Sequence, residues 1–424
     1  MYARQLLPTG AVSLSCRARP PKRRCLSTDR SVPQPPYHIL FFGADKFSCV
    51  TLETLYQARK DLLQHVVVVT PPDQKTGRRL REIHRPPLRL LAESLSLPSI
   101  ALPPTLLNDW EPPSEFHAQS PSSLLVTASF GHLLPTSLLS RFLPLNTLNL
   151  HPSLLPEYRG AAPIQWGIMN GDADSNWGRD TTSANRGMGV TVQELSRGKF
   201  DRGRILGQEK VVVPPNSGFL ELEPILAKAG GELLTTILRD LAKRQELARP
   251  QDGSLATLAP KLTKLTTRID WTRHSNVDLT RLQRGAGHQY PLWTTLAQDS
   301  PGPVPPIASA PPQPQLQLVL STSGPQSIPR SALAPSSASA SPLPPPGAIF
   351  LSPRDKSIYV ACAPASSPSS SSPESEAPGD EIEVVQVDKV KKEGGKWIQA
   401  REWWNGASRA GPSSASSQGW IQLE

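Results

Sequence analysis

The sequence predicts an α/β domain with a doubly wound, mostly parallel sheet, followed by a small C-terminal β-barrel, OB-like in kind, that carries disordered Pro/Ser insertions. Three observations support this. Short, wholly apolar, β-branched runs alternate with helix-spaced segments up to about residue 250. Turn-separated strand runs dominate the remainder. Many of the 47 prolines fall in a few tracts rather than being spread through the 424 residues, so part of the chain cannot pack.

Tyr37-His-Ile-Leu-Phe-Phe-Gly43 opens the first unit as an apolar run closed by glycine. Val50, Leu52 and Leu55 then recur at helical spacing between Phe47 and Ala58. His65-Val-Val-Val-Val-Thr70 is too apolar to have a wet face, and strands covered on both sides belong to parallel sheets flanked by helices. The alternation continues with a helix near Leu88–Ser96, a strand at Ser123–Ala128, a helix near Pro135–Ser140, a strand at Leu145–Leu150 and a helix at Ala162–Asn170. Val190–Leu195 and Glu209–Val213 read as two more strands, and Leu222–Leu247 as one long amphipathic helix despite Gly230-Gly231. Pro250-Gln-Asp-Gly253 punctuates, and the domain boundary is placed there.

Beyond it, Ala348–Leu351, Ser357–Cys362 and Glu381–Val387 are strand-like, which suggests the small barrel. Two tracts, 300–346 (with a short apolar break at Leu316–Leu320) and 363–379, have compositions that bury too little apolar area to offset ordering entropy, and are read as disordered insertions. The expected organisation is a leader over 1–34, a catalytic α/β domain over 35–250 and the barrel over 251–424.

Charge narrows the partners. The formal charge is +9, and the first 28 residues hold Arg4, Arg17, Arg19, Lys22, Arg23 and Arg24 with no acid. A whole-surface nucleic-acid coat is therefore not indicated, and any polyanion site is a local patch. The Arg- and Ser-containing leader, free of acids until Asp29, lacks the apolar core of a secretory signal and fits a mitochondrial transit peptide. Cys16, Cys25, Cys49 and Cys362 are scattered, so neither a disulfide framework nor a CxxC metal site can be drawn. No apolar run reaches the roughly 18 residues that a bilayer requires.

The most informative stretch is Asn149-Leu-His151-Pro-Ser-Leu-Leu-Pro156-Glu-Tyr-Arg159-Gly160-Ala-Ala-Pro163. Asn149 and His151 stand two residues apart at a strand end, so both side chains leave the sheet on one face. The Pro/Gly run behind them must cross the mouth of the sheet as a loop, where ligand sites are built. Gly43-Ala-Asp-Lys-Phe-Ser does not match GxGxxG, so a dinucleotide site is unsupported.

With Ser153-Leu-Leu-Pro156, Arg159-Gly160-Ala-Ala-Pro163-Ile164, Phe200-Asp201-Arg-Gly203, Lys261-Leu-Thr-Lys264 and Arg268-Ile-Asp-Trp271, this stretch resembles the folate-dependent formyltransferase family from about Tyr37 to Gly406. The resemblance implies 10-formyltetrahydrofolate as one-carbon donor and initiator methionyl-tRNA as acceptor, with Asn149, His151 and Asp201 at the catalytic positions. It also implies a folate held near Phe130, Gly131, Ser153, Leu154, Leu155 and Pro156, and transfer RNA gripped by Lys75, Arg78, Arg79 and Arg81. Matrix residence, a monomer, and no metal or membrane partner complete the expectation. Two departures lie near Asp201: extra length between Gly171-Asp172 and Val190, and Arg204 where an acid is common in the family.

The residue types suit that chemistry independently. Moving a formyl group between nitrogens passes through a tetrahedral intermediate, which needs an oxyanion donor and a proton relay. A carboxamide donates without ionising. An imidazole, whose reference pKa is about 6.5, donates or accepts near working pH, and a carboxylate can stabilise its charge. The run Lys75, Arg78, Arg79, Arg81, Arg85 and Arg89, opposed only by Glu82, leaves the second strand at the same sheet edge and suits phosphate or solvent. A second basic set (Lys389, Lys391, Lys392, Lys396, Arg401) sits beside Trp397, Trp403 and Trp404, which suit either a barrel core or base stacking. Two alternatives stay open: a formyltransferase acting on glycinamide ribonucleotide or an amino sugar, and a non-catalytic RNA-binding protein on the same scaffold.

Overall fold

The computed structural model describes residues 32–76, 79, 81–103, 110–116, 120–174, 187–296, 315–329, 344–364, 381–410 and 420–424. Nearly all of the expected leader and Arg78 lie outside the described residues, as do most of the extra length before Val190 and nearly all of the second Pro/Ser tract.

The first sheet runs β1 (Tyr37–Phe42), β2 (Leu63–Thr70), β5 (Ser99–Ala101), β6 (Ser123–Ala128), β7 (Thr147–His151), β8 (Met188–Glu194) and β9 (Ile205–Val211) in the spatial order 5-2-1-6-7-8-9. Its first five strands are parallel, and β8 and β9 add antiparallel at one edge. Between β2 and β5, β3 (Gln74–Thr76) and β4 (Glu82–His84) form a separate two-stranded hairpin. The helices of this part are α1 (Lys46–Gln57), α2 (Arg59–Leu62), α3 (Pro87–Ser94), α4 (Thr136–Leu139), α5 (Pro163–Met169), α6 (Phe219–Arg239) and α7 (Leu241–Glu246).

Both faces of the sheet are dry, as the apolar runs require. Ile39, Phe41, Val66, Val68, Leu124 and Val126 pack with Leu52, Leu55, Leu226 and Leu234 on one face. Leu40, Phe42, Val67, Val69 and Leu125 pack with Leu138 and Phe142 on the other. Each such side chain removed from water contributes roughly 1.5–3 kcal/mol.

The long helix expected over Leu222–Leu247 starts earlier and is broken at Asp240, whose backbone leaves the helical region (φ −134°, ψ 40°). Gly230 and Gly231 serve close approach, because a Cβ would come within 2.7 Å of Leu150 and 2.6 Å of Thr54 respectively. The strand expected at Glu209–Val213 is Ile205–Val211 instead; Val212 is exposed and Pro214 cannot donate to a ladder.

One acid on α6 is buried with no cation paired to it among the described residues. Glu223 is 8 % exposed, and burial together with the Asp45 carboxylate raises its pKa to about 7, with Lys46 opposing. An unfolded glutamate titrates near 4.3, so the folded state binds the extra proton between that value and about 7. The stabilisation is therefore complete at low pH and lost as pH rises through neutrality. Glu223→Gln is expected to stabilise the protein at pH 8 by on the order of 2 kcal/mol and to have little effect at pH 4. Thermal unfolding at both pH values checks it, and parallel wild-type and variant profiles would contradict it.

The C-terminal part holds α8 (Asn276–Ala286), β10 (Leu292–Thr295), β11 (Gln315–Leu320), β12 (Gln326–Pro329), β13 (Ala348–Leu351), β14 (Ile358–Ala361), β15 (Glu381–Lys392), β16 (Ile398–Gln399), α9 (Ala400–Ala410) and β17 (Trp420–Gln422). The strands form one antiparallel sheet along 10-11-15-14-13-17, with β12 and β16 also pairing to β15. A bridge between Leu296 and Leu423 brings the two ends of that path together. The 300–346 tract is thus not wholly unstructured: β11 and β12 lie within it. In β11, Leu316, Leu318 and Leu320 alternate inward, and pairing to the long β15 compensates for the poor flanking composition. Trp403 is buried in this core and Trp404 packs against it, whereas Trp397 is exposed beneath the Lys391 ammonium.

Candidate active site

Strand β7 ends at the sheet's carboxyl edge, where ligand crevices of open α/β sheets form. A cavity of about 250 Å³ opens there, lined by Thr127, Phe130, Gly131, Asn149, His151, Gly160, Gln193 and Asp201 among others. The two-residue alternation along β7 does bring Asn149 and His151 to one cavity. Asp201 reaches them through the antiparallel β7–β8 pairing, which sets Asn149 opposite Gln193 and returns the following turn across the strand ends.

The hydrogen bonds set the orientation of each group. Asn149 Oδ1 accepts from the Thr127 hydroxyl at 2.7 Å, and Asn149 Nδ2 donates to Asp201 Oδ1 at 3.4 Å. Flipping the amide would set its carbonyl against a carboxylate, so the NH₂ group faces Asp201 and the cavity. His151 Nε2 lies 2.9 Å from the Tyr158 carbonyl. A carbonyl only accepts, so Nε2 carries the hydrogen and Nδ1 is the atom that gains or loses a proton. Nδ1 faces Asp201 Oδ1 at 3.6 Å, beyond hydrogen-bond length but close enough for the carboxylate to stabilise an imidazolium.

Asp201 is held from four sides. Gly160 N donates to Oδ2 at 2.9 Å and Gln193 Nε2 to Oδ1 at 3.1 Å. Its backbone is left-handed (φ 52°), a conformation Asp tolerates better than most residues. Gln251 fixes that turn by donating to the carbonyls of Asp201 and Gly203 and to Gln193 Oε1 at 2.9–3.1 Å. Gln251 Oε1 in turn accepts from Arg159 Nε at 3.1 Å and Nη2 at 2.6 Å. Arg204 pairs with Glu194 at 3.2 Å and so makes no approach to Asp201 in that contact.

The remaining expected residues divide. Phe130 and Gly131 line the cavity; Ser153, Leu154, Leu155 and Pro156 do not. The latter segment is a support: Ser153 Oγ donates to Glu157 O at 2.6 Å, and Thr191 and Gln208 hydrogen-bond its backbone. Of the basic residues, Lys75 lies on β3 and Arg79 and Arg81 lie on the intervening turn, all exposed and with no ion pair to another described residue. Arg85 and Arg89 are engaged, since both pair with Asp73 and Glu93. Sequence reasoning missed Thr127, Gln193 and Gln251. A buried glutamine inside the β8 run was a usable signal; Gln251, in a punctuating Pro-Gln-Asp-Gly, offered none.

A carboxamide donor, a proton-accepting imidazole nitrogen and an anchored carboxylate around one cleft can handle a tetrahedral carbonyl intermediate, which is the chemistry of an acyl transferase. A formyl transferase family model matches residues 37–238. The chain is 34% identical over 259 residues to the methionyl-tRNA formyltransferase of Acidobacterium capsulatum, covering 61% of this chain and 76% of that one. To the corresponding Synechococcus sp. protein it is 36% identical over 235 residues, covering 55% of this chain and 67% of that one. To the mitochondrial methionyl-tRNA formyltransferase of Bos taurus it is 32% identical over 265 residues, covering 62% and 60%. The chain belongs to the formyl transferase family. Its match spans 60% of the length of that mitochondrial relative.

Proposed function

We propose that this protein is an enzyme that transfers the formyl group of 10-formyltetrahydrofolate to the α-amino group of methionine carried on initiator tRNA, acting as a monomer in the mitochondrial matrix. The observation that carries the reading is the convergence of Asn149 Nδ2, His151 Nδ1 and the Asp201 carboxylate on one cleft. The likeness to methionyl-tRNA formyltransferases and the exposed Lys75, Arg79 and Arg81, which make no ion pair among the described residues, favour a tRNA acceptor over a small amine.

In this mechanism the folate ring lies against Phe130 and Gly131 with its one-carbon group toward Asn149. The incoming amine attacks the formyl carbon as His151 Nδ1 removes its proton, and the amide of Asn149 donates to the developing oxyanion. Asp201 stabilises the imidazolium until the proton passes to the departing folate nitrogen, directly or through a water. Purified protein is expected to move labelled formyl from the folate onto methionyl-tRNA, with KM for tRNA rising steeply with salt. Transfer to glycinamide ribonucleotide or an amino sugar with no transfer to methionyl-tRNA would overturn the assignment.

A further inference from the structure

The loops that follow β1 and β6 lie side by side at the sheet's carboxyl edge, because the two strands are adjacent and parallel, with Phe42 opposite Thr127. Asp45 Oδ2 on the first loop accepts from the Ser129 hydroxyl on the second, a bond between residues 84 apart in sequence. Its two ends differ in firmness. Asp45 is the N-cap of α1: Oδ1 accepts from Ser48 N at 3.2 Å, and its carbonyl accepts from Ser48 Oγ at 2.7 Å. Gly43, just before it, packs so closely that a Cβ would come within 2.5 Å of Ser48 Cβ. Ser129, by contrast, is exposed and left-handed (φ 50°), a conformation that a serine avoids without support. Among the described residues, 129–134 make no other hydrogen bond outside the strand ladders. Ser129 lines the catalytic cavity, and Phe130 and Gly131 after it form the wall assigned above to the folate ring.

Resting on the reading above, we infer that Asp45 is a positioning residue for the one-carbon donor: its carboxylate clamps Ser129 in the left-handed conformation and so fixes the Phe130–Gly131 wall against which the folate lies. Asp45 does not itself line the cavity, so it acts through Ser129. Capping α1 needs only Oδ1, and the second oxygen is turned to the other loop. Burial raises the Asp45 pKa while the bonds from Ser129 and Ser48 lower it, so this carboxylate is short of water and leans on charge-assisted hydrogen bonds. The Phe130 ring packs edge-on against Phe42, with centroids 5.1 Å apart. That contact holds a side chain and leaves the backbone one residue earlier to the clamp.

The test is calorimetric binding of 5-formyltetrahydrofolate to the full-length protein, with formylation kinetics alongside. Ser129→Ala is expected to weaken binding about tenfold and to raise the KM for the folate in step, with kcat and the KM for tRNA little changed. It leaves the Asp45 cap intact, so its thermal unfolding should match wild type. Asp45→Ala is expected to lose the same folate affinity and also to unfold at lower temperature, because it removes the cap. Ser129→Gly is expected to recover most of the affinity, alone and in the Asp45→Ala background, since glycine takes a positive φ without a clamp. A folded Ser129→Ala variant with wild-type folate affinity overturns the inference. Ser129→Gly as weak as Ser129→Ala overturns it too, by showing that the hydroxyl serves the ligand directly. Wild-type protein with no measurable folate affinity defeats both this inference and the proposed function. Folate binding that follows the expected pattern in a protein that transfers no formyl group to methionyl-tRNA defeats the proposed function and leaves the clamp standing.

Discussion

Asn149→Ala is expected to lower kcat for formyl transfer by about 10²–10³, with a much smaller change in the KM for either substrate. In the proposed mechanism the amide donates to an oxygen that becomes strongly basic only in the transition state, so its loss falls on kcat. His151→Ala is expected to cost at least as much, because it removes both the proton acceptor and the imidazolium that Asp201 stabilises. The double variant should be little worse than His151→Ala alone if the two groups serve one intermediate. Steady-state kinetics with saturating folate measure all three. Single losses that multiply would mean that the residues act independently and that the shared-oxyanion account is wrong.

Gly160→Ala is expected to abolish activity and to destabilise the fold on the order of 3 kcal/mol. Gly160 sits at φ 130°, a conformation that side-chain-bearing residues avoid, and a Cβ there would lie 2.5 Å from the Ala259 carbonyl oxygen. That backbone cannot retreat easily. Ala259 N donates to Arg159 O and Ala162 N donates to Ala259 O, binding the loop and the Thr257–Ala259 segment into one short ladder. Any shift of Gly160 also withdraws its N–H from Asp201 Oδ2. Denaturant unfolding and the formylation assay should therefore fail together; a stable, active Gly160→Ala variant would show that the Asp201 carboxylate does not depend on this contact.

Much of this architecture was legible in the residues because it rests on short-range pattern. Runs such as Val66–Val69 are buried on both faces, and only a covered parallel sheet accommodates them. The two-residue spacing of Asn149 and His151 placed both on one face with no structural input. What was not legible depends on distant pairing. β11 and β12 lie in a Pro/Ser-rich tract and owe their strand form to distant pairing, since β15, some 60 residues later, pairs with both and β10 flanks β11 on its other side. β5 is three residues long and is defined by its ladder to β2 rather than by its own composition. Gln251 reads as punctuation, yet it ties Arg159, Gln193 and the Asp201 turn together, a role set by where the chain returns and not by its neighbours in sequence. The Ser153–Pro156 segment, which the family resemblance implies lies near the folate, is turned by its hydrogen bonds toward Thr191 and Gln208 and is not among the residues lining the cavity.

The position of a bound folate analogue tests the central claim most directly. A crystal structure with a formyl-bearing analogue should place the one-carbon oxygen within about 3.2 Å of Asn149 Nδ2, with His151 Nδ1 and Asp201 bordering the path of the amine and the ring against Phe130 and Gly131. An analogue seated elsewhere, or one whose one-carbon group points away from all three side chains, would contradict it.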